Sequence, residues 1–214
     1  MNEFPFRIKV EDSPQMATLR FASRRELLRY HRSLSPFASE ASIAVRDAVE
    51  FTRLAAKRWR YYSRSEEAVE SFAGLKRAIE RDERCEIAFI MVASIRQGRR
   101  EVPVGLAYCR RTWCHHLALD FLALHPCALE QPGRMNGVGS GIVFGLVQLA
   151  KALRIPRVWG EATVHSAPFY EKLLAVAPIQ DLFVIEAAEM EAISSRQDRT
   201  SRTGLVTKPA TGLH

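Results

Sequence analysis

The sequence predicts an α+β fold in which helices come first and strands follow. Three segments within residues 24–80 carry apolar residues at steps of three or four, which is the spacing of amphipathic helices. From Glu86 the pattern changes to short β-rich runs separated by turns. One of these runs leads into four glycines within nine residues, and a new helical pattern follows. We therefore expect helices, an antiparallel meander and then a strand–turn–helix unit.

Length and composition bound the class of protein. A chain of 214 residues, 47% of them hydrophobic, suits one domain with a sizeable core. Its apolar runs are far shorter than the roughly 20 residues of a membrane span, and its first residues do not resemble a signal peptide. Four cysteines without disulfide-framework spacing lead us to expect a reducing, cytoplasmic location. The net charge of +7 is compatible with nucleic acid, an acidic surface or an anionic cofactor as partner.

The N-terminal third is predicted to be mostly helical. Residues 4–22 alternate poorly, so we expect only a short strand at 17–22, after a turn at 12–14. Ser23 and Glu26 form a capping-box pattern that opens the first helix, and two further helices start near Ser39 and Ser65. The basic and aromatic stretch 57–64 could bind single-stranded nucleic acid. A helix end with its rings in the core and its arginines in water is the favoured interpretation, so nucleic acid is not the expected partner.

The second half alternates strands and helices. We expect strands over 87–95, 102–108, 113–124, 157–163 and 182–187, and helices over 142–153 and 167–175. The polar segment 194–214 lacks periodicity and is predicted to be a disordered tail.

The glycine-rich turn is the first candidate binding site. It lies between the strand that ends at Leu124 and the helix that follows, and it contains Gly137, Gly139 and Gly141. Unpaired N–H groups at a helix N-terminus favour an anion such as phosphate. Glycines at these positions would let the backbone approach such a ligand closely, because no Cβ stands in the way. A Rossmann dinucleotide site is disfavoured, because its fingerprint belongs in the first βαβ unit and here a meander comes before the loop.

Two motifs make the chain resemble the GNAT superfamily of acyl-CoA-dependent N-acetyltransferases. The triplet Leu122-Ala123-Leu124 and His125-Pro126 precede Arg134-Met-Asn-Gly137-Val-Gly139, which is similar to the family's Gln/Arg-x-x-Gly-x-Gly/Ala signature. Downstream, Ala167-Pro-Phe-Tyr-Glu-Lys-Leu173 is similar to the family's helix beside the cofactor thiol. The resemblance covers roughly residues 85–187. It departs from the family in the longer segment 127–133 and in Leu-Leu-Ala-Val after the second motif.

The resemblance implies a fold and a cofactor site. The fold is a mixed, mostly antiparallel central sheet of six to seven strands with helices on both faces. Residues 1–190 would form one domain, with an acceptor-side helical region at 24–80 and a CoA-binding core at 85–187. Acetyl-CoA would be the cosubstrate, contacted by the β-strand triplet and the loop. The implied contact residues are Leu122, Ala123, Leu124, Arg134, Met135, Asn136, Gly137, Val138, Gly139 and Ser140.

Four further residues are candidates for acid and base chemistry. An alkylamine has a pKa near 10, so acetyl transfer at neutral pH needs help in deprotonating the amine. Strand alternation is predicted to place His116, Ala118, Asp120 and Leu122 on one face. Asp120 is the leading candidate for base or amine anchor, and its alternative is a structural ion pair. Glu161 and His116 are the other candidate bases, while Tyr170 matches the family's acid, which protonates the thiolate, and could otherwise be a core aromatic.

Other functions fit the residues less well. The cysteines and histidines of 109–127 lack the C-x2-C pair of zinc sites, so no metal is expected. The cysteines also lack an evident activating partner for a nucleophilic role. The favoured function is N-acetylation of an amine, on a small molecule or a protein, by direct attack in a ternary complex. A non-catalytic acyl-CoA-binding regulatory module on the same fold is the alternative, and homodimer formation is left open.

Overall fold

The computed structural model describes residues 3–37, 42–64, 67–129, 135–176 and 178–203, with side chains as far as residue 196. Within these ranges, nine strands form one sheet that six α-helices accompany. The strands are β1 (Glu3–Val10), β2 (Ser13–Phe21), β3 (Ala68–Val69), β4 (Ile87–Gln97), β5 (Arg100–Arg111), β6 (Leu117–Leu124), β7 (Met135–Asn136), β8 (Val158–Glu161) and β9 (Leu182–Ile185). The helices are α1 (Arg24–Ser33), α2 (Ile43–Tyr62), α3 (Phe72–Arg81), α4 (Val138–Ala152), α5 (Ala167–Leu174) and α6 (Ala187–Thr203).

The sheet is mixed and mostly antiparallel, as predicted. Its strand order is β7-β1-β2-β4-β5-β6-β8-β9, with β3 paired beside β4. The pairs β6–β8 and β3–β4 are parallel, and the other pairs are antiparallel. The predicted number of six to seven strands is too low, because the N-terminal hairpin and two strands of two residues each extend the sheet.

The N-terminal hairpin is the main element that the sequence prediction missed. Phe4, Phe6 and Ile8 alternate with exposed or half-buried residues, and all three side chains are buried. The turn lies at Glu11 and Asp12, both with positive φ, as in the two-residue hairpin turns that match strand twist. The predicted strand at 17–22 overlaps β2, which begins earlier at Ser13, whereas β1 was not predicted although its buried residues recur at period two.

The helical predictions hold with shifted boundaries. Ser23 and Glu26 form the predicted capping box of α1. Trp59 on α2 is buried while Arg58 and Arg60 are exposed, so the stretch 57–64 is a helix end with a ring in the core. The third helix begins after Ser71, whose side chain accepts a hydrogen bond from the Gly74 N–H, and not near Ser65, which lies outside the described residues.

Each face of the sheet has its own hydrophobic core. The larger core packs α3, α4, α5 and α6 against one face, and the smaller core packs α1 and α2 against the other. None of the helices in the described residues is both long and apolar enough to span a bilayer. The predicted placement of helices on both faces is confirmed.

A β-bulge in β6 changes the predicted direction of several side chains. Leu119 pairs with Cys109 and Phe121 pairs with Tyr108, so Asp120 is the extra residue on β6. Asp120 therefore faces α2, as Phe121 does, whereas Leu122 packs into the larger core. The prediction that Asp120 and Leu122 share one face is wrong, because the bulge interrupts the alternation.

The C-terminal helix α6 replaces the first part of the predicted tail. Met190 and Ile193 are buried against the larger core, and the Ser194 hydroxyl accepts a hydrogen bond from Gln148 at 3.1 Å. These tertiary contacts stabilise α6, a helix that the polar composition of its sequence does not predict. The prediction of disorder from residue 194 is therefore wrong as far as Thr203, and residues 204–214 lie outside the described ranges.

Candidate functional site

The site begins where two parallel strands separate. β6 and β8 pair only through Leu117 with Val158 and Ala118 with Trp159. Beyond these pairs the C-terminal half of β6 has no strand partner on its β8 side among the described residues. Backbone N–H and C=O groups on such an open edge are available to a ligand. Leu122 and Leu124, from this half of β6, line a cleft of about 680 Å³.

The N-terminus of α4 forms the second wall of the cleft. The first intrahelical hydrogen bond runs from the Gly141 N–H to the Gly137 C=O, and no side chain caps the helix. The N–H groups of Val138, Gly139 and Ser140 therefore precede the helical ladder, and all three residues line the cleft. A 15-residue helix with an uncapped N-terminus at a cleft favours an anionic ligand through both its donors and its dipole.

The glycines of this loop have three different roles. Gly137 has φ +89°, a left-handed conformation that lets the chain turn from β7 into α4. Gly139 lies against Phe169, whose ring would be 3.3 Å from an added Cβ. Gly141 packs on the N-terminal hairpin, where an added Cβ would be 1.9 Å from the Phe6 ring. The expected role of Gly141 in ligand approach is therefore wrong, because its small size serves the packing of α4 on β1.

Most of the residues predicted to contact the cofactor line the cleft. Met135 and Asn136 form β7, which pairs with the end of β1 and thereby holds the loop against the sheet. The predicted residues that line the cleft are Leu122, Leu124, Met135, Asn136, Gly137, Val138, Gly139 and Ser140. Ala123 is buried and does not line it. Arg134 lies outside the described residues.

Two cationic residues of the cleft were not among the predicted site residues. Lys172 lies on α5, and Arg196 lies on α6. The Arg196 guanidinium donates a hydrogen bond to the Leu173 carbonyl at 2.6 Å, which joins α6 to the end of α5. Lys172 could have been found from its place in the second motif. Arg196 could not, because its segment was predicted to be disordered.

Tyr170 lines the cleft from α5. Its ring stacks on Phe183 with centroids 3.8 Å apart and meets Phe169 edge to face at 4.8 Å. Burial raises the pKa of the Tyr170 phenol above its ordinary value, and the nearby Cys109 raises it further. The phenol is therefore protonated at neutral pH, so its O–H group is present in the cleft. Tyr170 is therefore a buried core aromatic, as one interpretation predicted, and it also lines the cleft, as the role of an acid requires.

Asp120 lies in an ion-pair network on the α2 face of the sheet. Arg110 donates two hydrogen bonds to its carboxylate, at 2.6 and 2.9 Å, and also contacts Glu86 at 2.6 Å. Arg58 of α2 approaches the same carboxylate at 3.7 Å. The hydrogen bond to Asp120 is the main cause that raises the pKa of Arg110 above its ordinary value. A carboxylate held by two cations at a bulge matches the structural ion pair that was the alternative to a base.

Glu161 ends β8 and is exposed. The preceding Gly160 faces Phe183 in the larger core, since an added Cβ would be 2.8 Å from that ring. Strand alternation therefore turns Glu161 to the α2 face, the face that Asp120 also occupies. Within the described residues, no cation forms an ion pair with Glu161. Its carboxylate is thus free to accept a proton or to attract an ammonium group.

His116 and the cysteines do not belong to the cleft. His116 precedes β6, six residues before Leu122, which corresponds to about 20 Å along a strand. Its Nδ1 lies 3.3 Å from the Cys114 sulfur, and burial is the main cause that lowers its pKa. His116 therefore does not line the cleft in which Tyr170 lies. Within the described residues, no group of three or more potential metal ligands comes together.

His125 is buried at the end of β6 as a neutral imidazole. Its Nδ1 accepts a hydrogen bond from the Cys127 N–H at 3.3 Å, and its Nε2 lies 3.0 Å from the Ser33 hydroxyl oxygen. That hydroxyl donates to the Tyr30 carbonyl, so Nε2 is the protonated nitrogen. Burial lowers the pKa of His125 to about 4. This residue therefore joins α1 to the strand that borders the cleft.

Comparisons with known proteins show a likeness of fold. No protein-family model matches the sequence, and no curated protein matches it. A solved structure of an uncharacterized Bacillus halodurans protein aligns with a TM-score of 0.51 at 13% identity, over 92% of this chain and 97% of that one. A GNAT-family acetyltransferase from Staphylococcus aureus aligns with a TM-score of 0.41 at 10% identity, over 78% and 97%.

A third solved structure is a candidate streptothricin acetyltransferase from Bacillus anthracis in complex with acetyl coenzyme A. It aligns with a TM-score of 0.32 at 19% identity, over 40% of this chain and 46% of that one. The match to this structure, and that to a nourseothricin acetyltransferase, span about half the length of those proteins. Solved structures that align with this chain thus include GNAT-family acetyltransferases, each with a TM-score below 0.5.

Proposed function

We propose that this protein is an acetyl-CoA-dependent acyltransferase that acetylates an amine by direct transfer in a ternary complex. One observation carries the proposal. The uncapped N-terminus of α4 and the open edge of β6 form adjacent walls of one cleft. The first wall suits a pyrophosphate, and the second suits the amide-containing arm of CoA, which can pair with strand-edge backbone groups.

The cleft offers complementary charge to CoA. The N–H groups of residues 138–140 would bind pyrophosphate oxygens, and Lys172 and Arg196 add two positive charges. The side chains of Leu122, Leu124 and Phe169 form the apolar lining for the aliphatic part of the arm. Acetyl-CoA acts here as a cosubstrate, and the proposed reaction requires no metal.

The proposed transfer moves the acetyl group from sulfur to nitrogen in one active site. The amine nitrogen attacks the thioester carbonyl, and the negative charge on oxygen is stabilised by a backbone N–H of β6 near Leu122. The C–N bond forms and the C–S bond then breaks, so that CoA leaves as a thiolate. Tyr170, which lines the cleft and is protonated at neutral pH, donates its proton to that thiolate. The amine loses its proton to a base on the opposite side of the strand gap.

The two carboxylates have different roles in this proposal. Glu161 is exposed and faces the α2 side of the sheet, so it serves as the base or as the group that attracts the ammonium substrate. Asp120 is already bound by Arg110, so it holds the bulge of β6 and does not take the proton. Both oxygens of the Asp120 carboxylate already accept hydrogen bonds from Arg110, whereas the exposed Glu161 carboxylate can contact a substrate amine directly.

The test has two stages. Calorimetry with CoA and acetyl-CoA measures binding. Absence of binding would contradict both the proposed acetyltransferase function and the alternative of a non-catalytic acyl-CoA-binding module. Turnover on a panel of amines, read by release of free thiol, then separates the two. CoA binding without turnover on any amine would favour the non-catalytic module. For the enzyme, Glu161→Gln and Tyr170→Phe lower kcat about 100-fold, the low end for removal of a general acid or base, while CoA binding changes little.

A further inference from the structure

A second cleft, of about 420 Å³, lies on the other face of the sheet. It is bordered by α1 and by strands β2, β4 and β5, and we call it the α1 pocket. Tyr30 and Val92 at its wall belong to the smaller core, whereas the first cleft borders the larger core. The two clefts share no lining residue. The α1 pocket is therefore a separate site and not an extension of the first cleft.

The carboxylates of the α1 pocket are fully engaged by neighbouring donors. Arg20 forms an ion pair with Glu26 and two hydrogen bonds with Glu101, at 3.0 and 2.7 Å. Ser23 donates to the second oxygen of Glu26 at 2.8 Å, and Ser94 donates to Glu101 at 2.5 Å. Burial alone would raise the pKa of Glu101, yet hydrogen bonds from Ser94 and Arg20 hold it below its ordinary value. Each of the four carboxylate oxygens therefore already accepts a hydrogen bond.

Two arginines of the same pocket form no ion pair within the described residues. Arg29 lies on the exposed side of α1, and Arg100 begins β5. Within the described residues, neither guanidinium has an acidic partner. Three arginines and two glutamates line the pocket, so its formal charge is +1. The charge that remains uncompensated is positive, and it is carried by side chains that still have donors to offer.

The chemistry of the lining identifies the ligand class. Guanidinium groups bind the oxygens of carboxylates and phosphates at two points, so both anions suit Arg29 and Arg100. Val92 and Pro103 add an apolar wall next to these cations, which suits a small carbon skeleton. The volume lies within the range of small-molecule sites.

We propose that the α1 pocket binds a small organic oxyanion, held by Arg29 and Arg100, independently of the first cleft. Arg20 does not bind this ligand, because its donors hold Glu26 and Glu101 in place. Glu26 and Glu101 line the pocket with their carboxylates bound by Arg20. A carboxylate and a phosphate ester share the required chemistry. The inference does not depend on the proposed acetyl transfer.

Calorimetry on the full chain tests the proposal at low ionic strength. Succinate probes the carboxylate, glycerol 3-phosphate probes the phosphate, and glycerol is the uncharged control. We expect at least one anion to bind and glycerol not to bind. Arg29→Gln and Arg100→Gln should each weaken binding about tenfold, and the double variant should lose it, because the two side chains supply the charged contacts.

Two control variants distinguish binding in the α1 pocket from binding elsewhere on the protein. Arg32→Gln removes an exposed arginine of α1 that does not line the pocket. Ser140→Asp adds a negative charge to the first cleft. Neither change should alter binding of the anion. Absence of binding by both anions would overturn the proposal, as would an equal loss in Arg32→Gln or a loss in Ser140→Asp. Binding of only one anion supports the proposal and identifies that anion's class.

Discussion

The substitution Ser140→Asp separates binding of CoA from stability of the fold. Ser140 lies in the first turn of α4, where no side chain caps the helix, and it lines the first cleft. A carboxylate at this position interacts favourably with the helix dipole and with the unpaired N–H groups. We expect the free energy of unfolding to rise by about 0.3–1 kcal/mol. The same carboxylate would compete with the pyrophosphate for those N–H groups.

The magnitude of the binding effect follows from the charge. Two unit charges about 5 Å apart repel by about 3 kcal/mol at an effective dielectric constant of 20. Salt and movement of the new side chain reduce this repulsion, so we expect a loss of about 1.4 kcal/mol or more, which is about tenfold in Kd. Ser140→Asn is the matched control, since it has nearly the same shape without the charge, and its Kd should stay close to that of the parent.

Calorimetry for CoA and denaturant unfolding measure the two effects on the same preparations. The expected pattern is a more stable protein that binds CoA less tightly. Unchanged CoA affinity in a stabilised Ser140→Asp variant would refute the assignment of the pyrophosphate to this helix N-terminus. Weaker binding together with lower stability would also count against it, because damage to the fold would then account for the loss.

Four further substitutions and conditions test other parts of the structure. Asp120→Asn should lower the free energy of unfolding by about 3 kcal/mol, because Arg110 then keeps only one of its two carboxylate partners. If Asp120 is a structural ion pair, kcat of the folded variant should stay within about threefold of the parent. If Asp120 is the base, kcat should fall about 100-fold or more. Gly141→Ala should cost about 1–3 kcal/mol because its Cβ would overlap the Phe6 ring. Gly145→Ala should cost less, since it meets the flexible end of Leu19 at 2.6 Å; equal losses in denaturant unfolding would contradict this packing argument. The pKa of His125 falls from 6.5 in the unfolded chain to about 4 in the folded one, so its stabilising effect is present above pH 6.5 and is lost as the pH falls towards 4. Unfolding at pH 7 and pH 5 should differ by about 2 kcal/mol from this residue, and His125→Gln should reduce the difference; an unchanged difference would show that other groups cause it.

The network around Asp120 shows why the sequence alone left two roles open for this residue. Burial of a carboxylate within an apolar strand costs free energy unless it has a partner, and Asp120 has such partners. The partner, Arg110, is ten residues earlier on the neighbouring strand, and Arg58 comes from α2. Pairing between strands depends on register, and here the register includes a bulge. Sequence patterns therefore identified a special position but could not assign its role.

The glycine-rich loop likewise combines a property that local sequence predicts with others that depend on tertiary contacts. Its place between a strand and a helix, and hence its suitability for an anion, follows from local sequence. The sequence could not show that Gly141 serves packing, because Phe6 is more than 130 residues away along the chain. Nor could it show that Arg196 reaches the cleft, since α6 is stabilised by its contacts with the larger core and has little hydrophobic periodicity of its own.

Short-range sequence patterns are sufficient to predict the α+β class, the capping box of α1, most strands from Ile87 onward, and the helix that begins at the glycine loop. These features depend on side-chain period and on turn and cap residues close together in the chain. Three features became visible in the folded chain: Asp120 is bound by Arg110, Arg196 lines the first cleft, and a second pocket with a formal charge of +1 lies on the opposite face of the sheet. Those outcomes depend on contacts between residues far apart in sequence, which are fixed by strand register and by the packing of helices on the sheet.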